Sequence, residues 1–245
     1  MPPVVKTVIG DIEIWVRQGL QAAWDVGTSQ TVITGDEYSL KPFLHSPMRL
    51  KVRTVVDIGA NIGAFTLAAR RTFPNAHVIA VEPDPDNATL LRRNCGHDAN
   101  VTICQTAVLN DDCPDTVHLC RHSLNSGGNY VGELFQQKQP PFVDQEPIVV
   151  PCRSIHDLLT DLGVNDINLL KVDAEGSEVN IFACLAAHNW LTKTSWIRFE
   201  WHGRESIPRL RRLLSPTHEV SIEEDGLWNA LGIAHRKEIQ DGVEC

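Results

Sequence analysis

Carboxylates recur directly after short runs of aliphatic and β-branched residues, where buried strands are predicted to end. Glu82 follows one such run, Asp173 follows a second, and Glu200 lies in a third. Ligands of open parallel sheets bind beyond the carboxyl ends of the strands, so these side chains are expected to meet at one edge. Carboxylates at that edge can accept hydrogen bonds from ribose hydroxyls, stabilise positive charge or act as general bases.

A glycine turn lies at the same predicted edge. The run Thr54–Ile58 leads into Gly59-Ala-Asn-Ile-Gly63 and then into a predicted helix. Glycines at 59 and 63 let the backbone bend sharply, and the helix start offers unpaired N–H groups. The Gly-x-x-x-Gly spacing, with Asn61 at its centre, is poor for a dinucleotide pyrophosphate and suits the smaller amino-acid tail of S-adenosylmethionine. A dinucleotide dehydrogenase is therefore disfavoured.

Glu82 completes this signal at the end of the next predicted strand, Val78–Val81. An acid at the end of the second strand of a nucleoside-binding α/β unit accepts hydrogen bonds from the ribose hydroxyls. A glycine turn and an acid in this register together indicate a nucleoside-cofactor site.

The segment 171–178, Lys-Val-Asp-Ala-Glu-Gly-Ser-Glu, offers the candidates for catalysis. It places Asp173 at a strand end and Glu175 in the following loop, and His202 follows the fifth core strand. Each could remove a proton from a substrate hydroxyl, and two adjacent carboxylates can raise the pKa of one of them. The sequence leaves the choice among the three open.

Alternating strand and helix patterns predict one α/β domain over residues 1–245, with an N-terminal cover (1–50), a core (51–245) and a substrate-facing insertion at about 122–146. Residues 4–9 and 11–16 alternate as a hairpin does, Ser29–Thr34 is predicted as a short strand, and Glu37 to about Arg49 as a short helix. Further helices are predicted over Phe65–Arg71, Pro85–Cys95, 154–162, Ser177–His188 and Glu205–Leu214. Further strands are predicted over Val101–Cys104, Thr116–Cys120, Ile148–Cys152, Ile167–Val172, Trp196–Trp201, His218–Ile222 and Leu227–Ala234.

Composition narrows the function classes. The net charge of −9 disfavours broad attraction to nucleic acid. Seven scattered cysteines without a CxxC pair favour reduced thiols, and the histidines show no metal-ligand spacing, so no metal site is predicted. The sequence contains no apolar run of about 18 residues and no leader-like start, so no membrane association is expected and the predicted localisation is cytoplasmic.

Three stretches in order resemble the FkbM family of S-adenosylmethionine-dependent methyltransferases. They are Val55–Phe65, Val78–Asp84 and Leu169–Glu178. The resemblance implies a class I Rossmann-like fold, in which a mostly parallel seven-stranded sheet has helices on both faces and an antiparallel last strand. It also implies S-adenosylmethionine as cofactor and O-methylation of a small-molecule hydroxyl acceptor, typically a natural product or a sugar.

The resemblance also implies roles for individual residues. It implies that Asp57, Gly59, Asn61 and Gly63 hold the methionine end of the cofactor and that Glu82 binds the ribose. It implies that Pro83 and Asp84 flank the adenosine and that Thr106 and Ala107 lie near the adenine. It further implies that Asp173 and Glu175 lie beneath the methyl group, and that Glu37 and Tyr38 approach the cofactor or close over the substrate.

Alternative functions stay open. An N-methyltransferase would often carry an Asn/Asp-Pro-Pro-Tyr motif, which this chain lacks. A cofactor-binding module without catalysis is disfavoured by the intact acids Asp57, Glu82 and Asp173. A second copy of the chain, in a homo-oligomer, is the other partner considered.

Overall fold

The computed structural model describes residues 3–134, 145–224 and 229–237. The strands are β1 (Val4–Ile9), β2 (Ile12–Arg17), β3 (Thr54–Ile58), β4 (His77–Val81), β5 (Val101–Cys104), β6 (Ala107–Leu109), β7 (Thr116–Cys120), β8 (Tyr130–Val131), β9 (Ile148–Ser154), β10 (Ile167–Val172), β11 (Thr194–His202), β12 (His218–Ile222) and β13 (Asn229–Arg236). The α-helices are α1 (Ala22–Ile33), α2 (Lys41–Leu44), α3 (Ala64–Thr72), α4 (Pro85–Cys95), α5 (Ile155–Asp161), α6 (Glu178–Ala187) and α7 (Ile207–Leu214).

A seven-stranded sheet in the order β12-β13-β11-β10-β3-β4-β5 organises the molecule. The pairs β11–β10, β10–β3, β3–β4 and β4–β5 are parallel, whereas β13 is antiparallel to both of its neighbours. The predicted α/β class, the mostly parallel sheet and the antiparallel last strand are confirmed.

Both faces of this sheet are buried, which explains why its central strands are mostly apolar. Along β3, Val56 and Ile58 pack into the core on one face with Phe182 of α6. Val55 points to the opposite face, where it packs with Phe65 of α3. Alternate residues of one strand therefore stabilise two different layers of helices.

The N-terminal segment forms the predicted hairpin, β1 paired with β2. The strand predicted at Ser29–Thr34 is wrong, because these residues lie in or directly after α1. Their β-branched side chains favour a strand locally, but Ser29 and Val32 share a buried helix face with Asp25. Tertiary packing of that face outweighs the local preference.

The helix predicted at Glu37 to about Arg49 is much shorter in the structure. It consists of α2 and a 3-10 turn at Pro47–Leu50. Between them Ser46 is extended, as the residue before a proline is expected to be, and its side chain caps the second turn.

A smaller sheet in the order β6-β9-β7-β8 lies beside the main one. It contains the strands predicted at Thr116–Cys120 and Ile148–Cys152, and the latter extends to Ser154. Part of the predicted insertion (135–144) and the first two residues of the strand predicted at Leu227–Ala234 lie outside the described residues. Within the ranges described, no helix has the length and hydropathy that a bilayer crossing requires.

Candidate functional site

A cavity of about 740 Å³ opens at the carboxyl ends of β3, β4, β10 and β11. Its volume lies within the range of small-molecule and cofactor sites. Helix α1 and residues 125–131 form walls on either side. Ten of the residues predicted from sequence line it, namely Glu37, Tyr38, Gly59, Asn61, Glu82, Pro83, Thr106, Ala107, Asp173 and Glu175.

The glycine turn brings backbone to the cavity wall. Gly59 has a φ of +74°, and a Cβ there would collide with the carbonyl oxygen of Asp173. Asn61 also has a positive φ, +48°. Its side-chain oxygen is buried without a hydrogen-bond partner among the described residues, which leaves an acceptor for a ligand donor.

Glu82 is buried between this turn and the start of α4. Its Oε2 accepts a hydrogen bond from the backbone N–H of Asn61 (2.9 Å), and its Oε1 accepts one from the N–H of Asp84 (2.9 Å). Burial raises the pKa of Glu82 to about 7, although these hydrogen bonds favour the carboxylate. The turn and the acid are thus held together as one rigid unit.

Three predicted cofactor residues lie behind the wall instead of lining it. Asp57 accepts a hydrogen bond from Thr66 Oγ1 (2.6 Å) and faces Lys171 Nζ (3.4 Å); its burial raises its pKa. Asp84 caps α4 through its own side chain. Gly63 caps α3 at a φ of +99°, where a Cβ would lie 2.9 Å from the Cys95 sulfur. These three residues therefore contact the strand and helix ends that form the cavity wall, and not the cavity itself.

Acidic groups gather at the other end of the cavity. Asp173, Glu175, Glu37 and Glu200 all line it. Burial raises the pKa of Glu200 to about 8, with the charge of Asp173 as the next cause, and the same two causes raise the pKa of Glu37. This end therefore carries excess negative charge, and part of it is neutralised by protonation near pH 7.

Lys171 is the main cation at this end, and it was not among the predicted site residues. Its side chain is only 3% exposed. Its Nζ donates to the carbonyl oxygen of Gly59 (2.6 Å) and lies 3.6 Å from Asp173 Oδ2, which also accepts a hydrogen bond from Tyr38 Oη (3.0 Å). The ammonium thereby ties the glycine turn to the catalytic candidates.

Glu175 combines an uncommon backbone conformation with a raised pKa. It has a φ of +47°, a left-handed conformation that is uncommon for a residue with a side chain. Burial raises its pKa to about 7, while the nearby His202 opposes that rise. A carboxyl group with such a pKa is half ionised at neutral pH.

His202 lies behind Glu175 and does not line the cavity. Its Nε2 is 3.2 Å from Glu175 Oε2, and its Nδ1 is 3.0 Å from Glu178 Oε1. Burial alone would lower the pKa of His202, but the two carboxylates raise it well above its usual value. This cationic histidine orients Glu175. Asp173, Glu175 and His202 also offer ligand atoms within 4.8 Å of one another, a set that could hold a divalent cation.

A buried network that sequence reasoning missed fixes the cavity walls. The Arg17 guanidinium is paired with Asp25 of α1 (2.8 Å) and donates to Ser126 Oγ (2.7 Å) and to Asn87 Oδ1. Asn87 Nδ2 in turn donates to the carbonyl oxygen of Ser126 (2.9 Å). No local pattern could indicate it, because its members come from distant parts of the chain.

The sequence is similar to methyltransferases of known families. Residues 57–220 match the family described as "Methyltransferase FkbM domain". Methyltransferase 1 of Beauveria bassiana (strain ARSEF 2860) is 28% identical over 150 residues, which cover 56% of this chain and 59% of that protein. The 31-O-demethyl-FK506 methyltransferase FkbM of Streptomyces tacrolimicus is 27% identical over 188 residues, covering 68% and 65%.

A further relative is 2-O-methyltransferase NoeI of Sinorhizobium fredii (strain NBRC 101917 / NGR234). It is 27% identical over 161 residues, covering 62% of this chain and 64% of that protein. The chain thus spans less than two thirds of the length of each of these three relatives.

Proposed function

The chain belongs to the FkbM methyltransferase family, and on that premise we propose that it transfers a methyl group from S-adenosylmethionine to a hydroxyl oxygen of a small molecule. The predicted family and the predicted cofactor, S-adenosylmethionine, are confirmed by this membership. The observation that carries the proposal is Glu175, a strained carboxyl group with a pKa of about 7 on the cavity wall.

The residues at one end of the cavity fit the cofactor. The glycine turn at Gly59 brings backbone close to the cavity, and the unpartnered Asn61 oxygen suits a donor such as the α-amino group. Glu82 would accept hydrogen bonds from the ribose hydroxyls, and Thr106 and Ala107 line the cavity beyond it. When bound there, S-adenosylmethionine supplies an electrophilic methyl group on a positively charged sulfur.

Glu175 is the proposed general base. A hydroxyl of high pKa becomes a better nucleophile as its proton is removed, and a base is most effective when its pKa is near the working pH. Glu175 Oε2 is held by His202, so the carboxylate takes the hydroxyl proton from a fixed position. His202 is proposed as a positioning residue and not as the base, because it stands behind the cavity wall.

Asp173, restrained by Tyr38 and Lys171, is proposed to stabilise the positive charge of the cofactor sulfur. Tyr38 and Lys171 both contact Asp173 Oδ2, so this carboxylate is restrained beside the place where the hydroxyl must approach. The acidic groups around it favour positive charge on the neighbouring sulfur. Lys171 also holds Asp173 close to the glycine turn, because its ammonium donates a hydrogen bond to the carbonyl oxygen of Gly59.

Two features support oxygen and a small molecule as the acceptor. The names of two relatives specify O-methyl transfer. Five carboxylate residues and a single lysine line the cavity within the described part of the chain, so it is not a basic groove, and the chain has a net charge of −9. A nucleic acid would be repelled by such a charge.

The proposal is tested by methyl-labelled S-adenosylmethionine and a panel of hydroxyl-bearing sugars and polyketide-type alcohols, with matched amines as the second arm. The ¹³C chemical shift of the transferred methyl group distinguishes O–CH₃ from N–CH₃. We expect label on oxygen, in a product formed by the parent protein and greatly reduced with Glu175→Gln. Label on nitrogen would contradict the proposed acceptor class.

A further inference from the structure

A second cluster of metal-binding side chains lies outside the cavity. Asp111 follows β6, Cys184 lies in the last turn of α6, and His188 caps the end of that helix. None of the three lines the cavity. Asp111 Oδ2 is 2.7 Å from His188 Nε2, and Asp111 Oδ1 is 3.3 Å from Cys184 Sγ. All three ligand atoms lie within 4.8 Å of one another.

We propose that Asp111, Cys184 and His188 bind one Zn²⁺ ion, with water in the fourth position. The thiolate, imidazole and carboxylate together match zinc, whereas Mg²⁺ and Ca²⁺ prefer oxygen ligands alone. Cys184 and His188 are four residues apart, so a helix brings both to the same face. Two ligands of a tetrahedral zinc ion are about 3.3 to 3.6 Å apart. The Asp111–His188 and Asp111–Cys184 contacts are 2.7 Å and 3.3 Å, and all three ligand atoms lie within 4.8 Å of one another, so zinc binding requires side-chain shifts of up to about an ångström.

Neighbouring side chains hold Asp111 and His188 in place, as the residues around a metal site hold its ligands. Ser154 Oγ donates to Asp111 Oδ1 (2.7 Å). The His156 ring stacks on His188 with 3.6 Å between centroids, and it is itself held by the Trp190 indole N–H at 3.1 Å. Such contacts fix ligand side chains, and their loss elsewhere weakens metal binding about 10- to 100-fold.

Zinc can enter this cluster from solvent. The side chain of Asp111 is 47% exposed and that of His188 is 32% exposed, whereas Cys184 is buried beneath them. In the metal-free state Cys184 Sγ–H and His188 Nε2–H both donate to Asp111. On binding, the Cys184 thiol proton is released to solvent. The His188 imidazole changes tautomer: Nε2 gives its proton to solvent and Nδ1 takes one up, so the ring stays neutral and Nε2 is free to bind zinc.

The test uses the full chain, stripped of metal by a chelator and then dialysed. Zn²⁺ is titrated against a chromophoric zinc indicator, and Co²⁺ is added separately to read the thiolate-to-cobalt charge-transfer band. We expect one equivalent of zinc, loss of the band with Cys184→Ser, and at least about tenfold weaker zinc binding with His188→Gln.

The matched controls are Cys104→Ser, which removes a thiol on β5, and His202→Gln, which removes the histidine behind the cavity wall. Neither should change zinc stoichiometry or the cobalt spectrum. The proposal is overturned by substoichiometric zinc, by unchanged binding in His188→Gln, or by binding that is lost in His202→Gln and kept in His188→Gln. Circular dichroism checks that each variant is folded; His188 lies at a half-exposed helix end, so His188→Gln decides the question even if Cys184→Ser does not fold.

Discussion

Replacing Glu175 with glutamine keeps the size of the side chain and removes the proposed proton acceptor. General-base removal of this kind slows a reaction by about 10²- to 10⁴-fold. Since each tenfold corresponds to about 1.4 kcal/mol, the activation free energy should rise by about 3 to 5 kcal/mol. The KM for the acceptor should change little, because the side chain keeps its volume.

The pH dependence of the parent protein follows from the pKa of Glu175, which burial raises to about 7. Only the ionised carboxyl group can accept a proton, so activity is lost as the pH falls through that value. With a single group titrating there, about one tenth of the molecules are active at pH 6 and about nine tenths at pH 8. The ratio kcat/KM should therefore rise about tenfold over this interval, because it reports the pKa of the ligand-free protein, and Glu175→Gln should lose that dependence.

The assay measures release of S-adenosylhomocysteine between pH 5.5 and 8.5, with the acceptor identified by label transfer. Glu219→Gln, an exposed site on β12, is the matched control and should behave as the parent. Calorimetric binding of S-adenosylhomocysteine shows whether each variant retains its cofactor site. The reasoning is refuted if Glu175→Gln retains more than about a tenth of the parent activity, or keeps the same pH limb.

His202→Gln separates a positioning residue from a base. The charge of His202 lowers the pKa of Glu175, so its removal should move the pH limb upward and leave measurable turnover at high pH. If His202 were itself the base, turnover would instead be absent at every pH.

Two further substitutions test the supports of the site. Lys171→Met leaves Asp57 buried without its cation, so the free energy of unfolding should fall by about 3 to 5 kcal/mol in urea titrations. Lys51→Met changes an exposed lysine and should have little effect. Equal stability of the two variants would contradict this account. Gly59→Ala should both destabilise the fold and prevent S-adenosylhomocysteine binding, because its Cβ has no room. Gly163→Ala, which has a similar φ of +67° with no neighbour within 4 Å, should cost only the backbone strain of about 1 kcal/mol.

The fold could be predicted largely from sequence because its signals are local. The run Thr54–Ile58 is rich in β-branched residues and is buried on both faces, and the turn that follows it has glycines where the backbone has positive φ. The alternation of strands and helices along the chain then predicts that neighbouring strands are parallel. The failure at Ser29–Thr34 has a physical cause, since Arg17 pairs with Asp25 from another element and holds α1 as a helix.

The finer details of the site could not be predicted because they depend on residues that are distant in sequence. Lys171 appears in the sequence as one cation in an apolar strand, and only the register of β10 against β3 places it beside Asp57. His202 and Glu175 come from different strand ends, so their pairing needs the folded sheet. Cys184 and His188 were not predicted as metal ligands, because their third partner, Asp111, follows β6 and only the fold brings it beside them.

The central claim is a site for S-adenosylmethionine that is formed by the glycine turn and Glu82. Calorimetric titration with S-adenosylmethionine and S-adenosylhomocysteine tests it without any acceptor. We expect micromolar binding by the parent, about −8 kcal/mol, and no detectable binding by Glu82→Ala or Glu82→Gln that remain folded, with Glu219→Ala as the control. No binding of either compound by the folded parent, or equal binding by the Glu82 variants, would contradict the account.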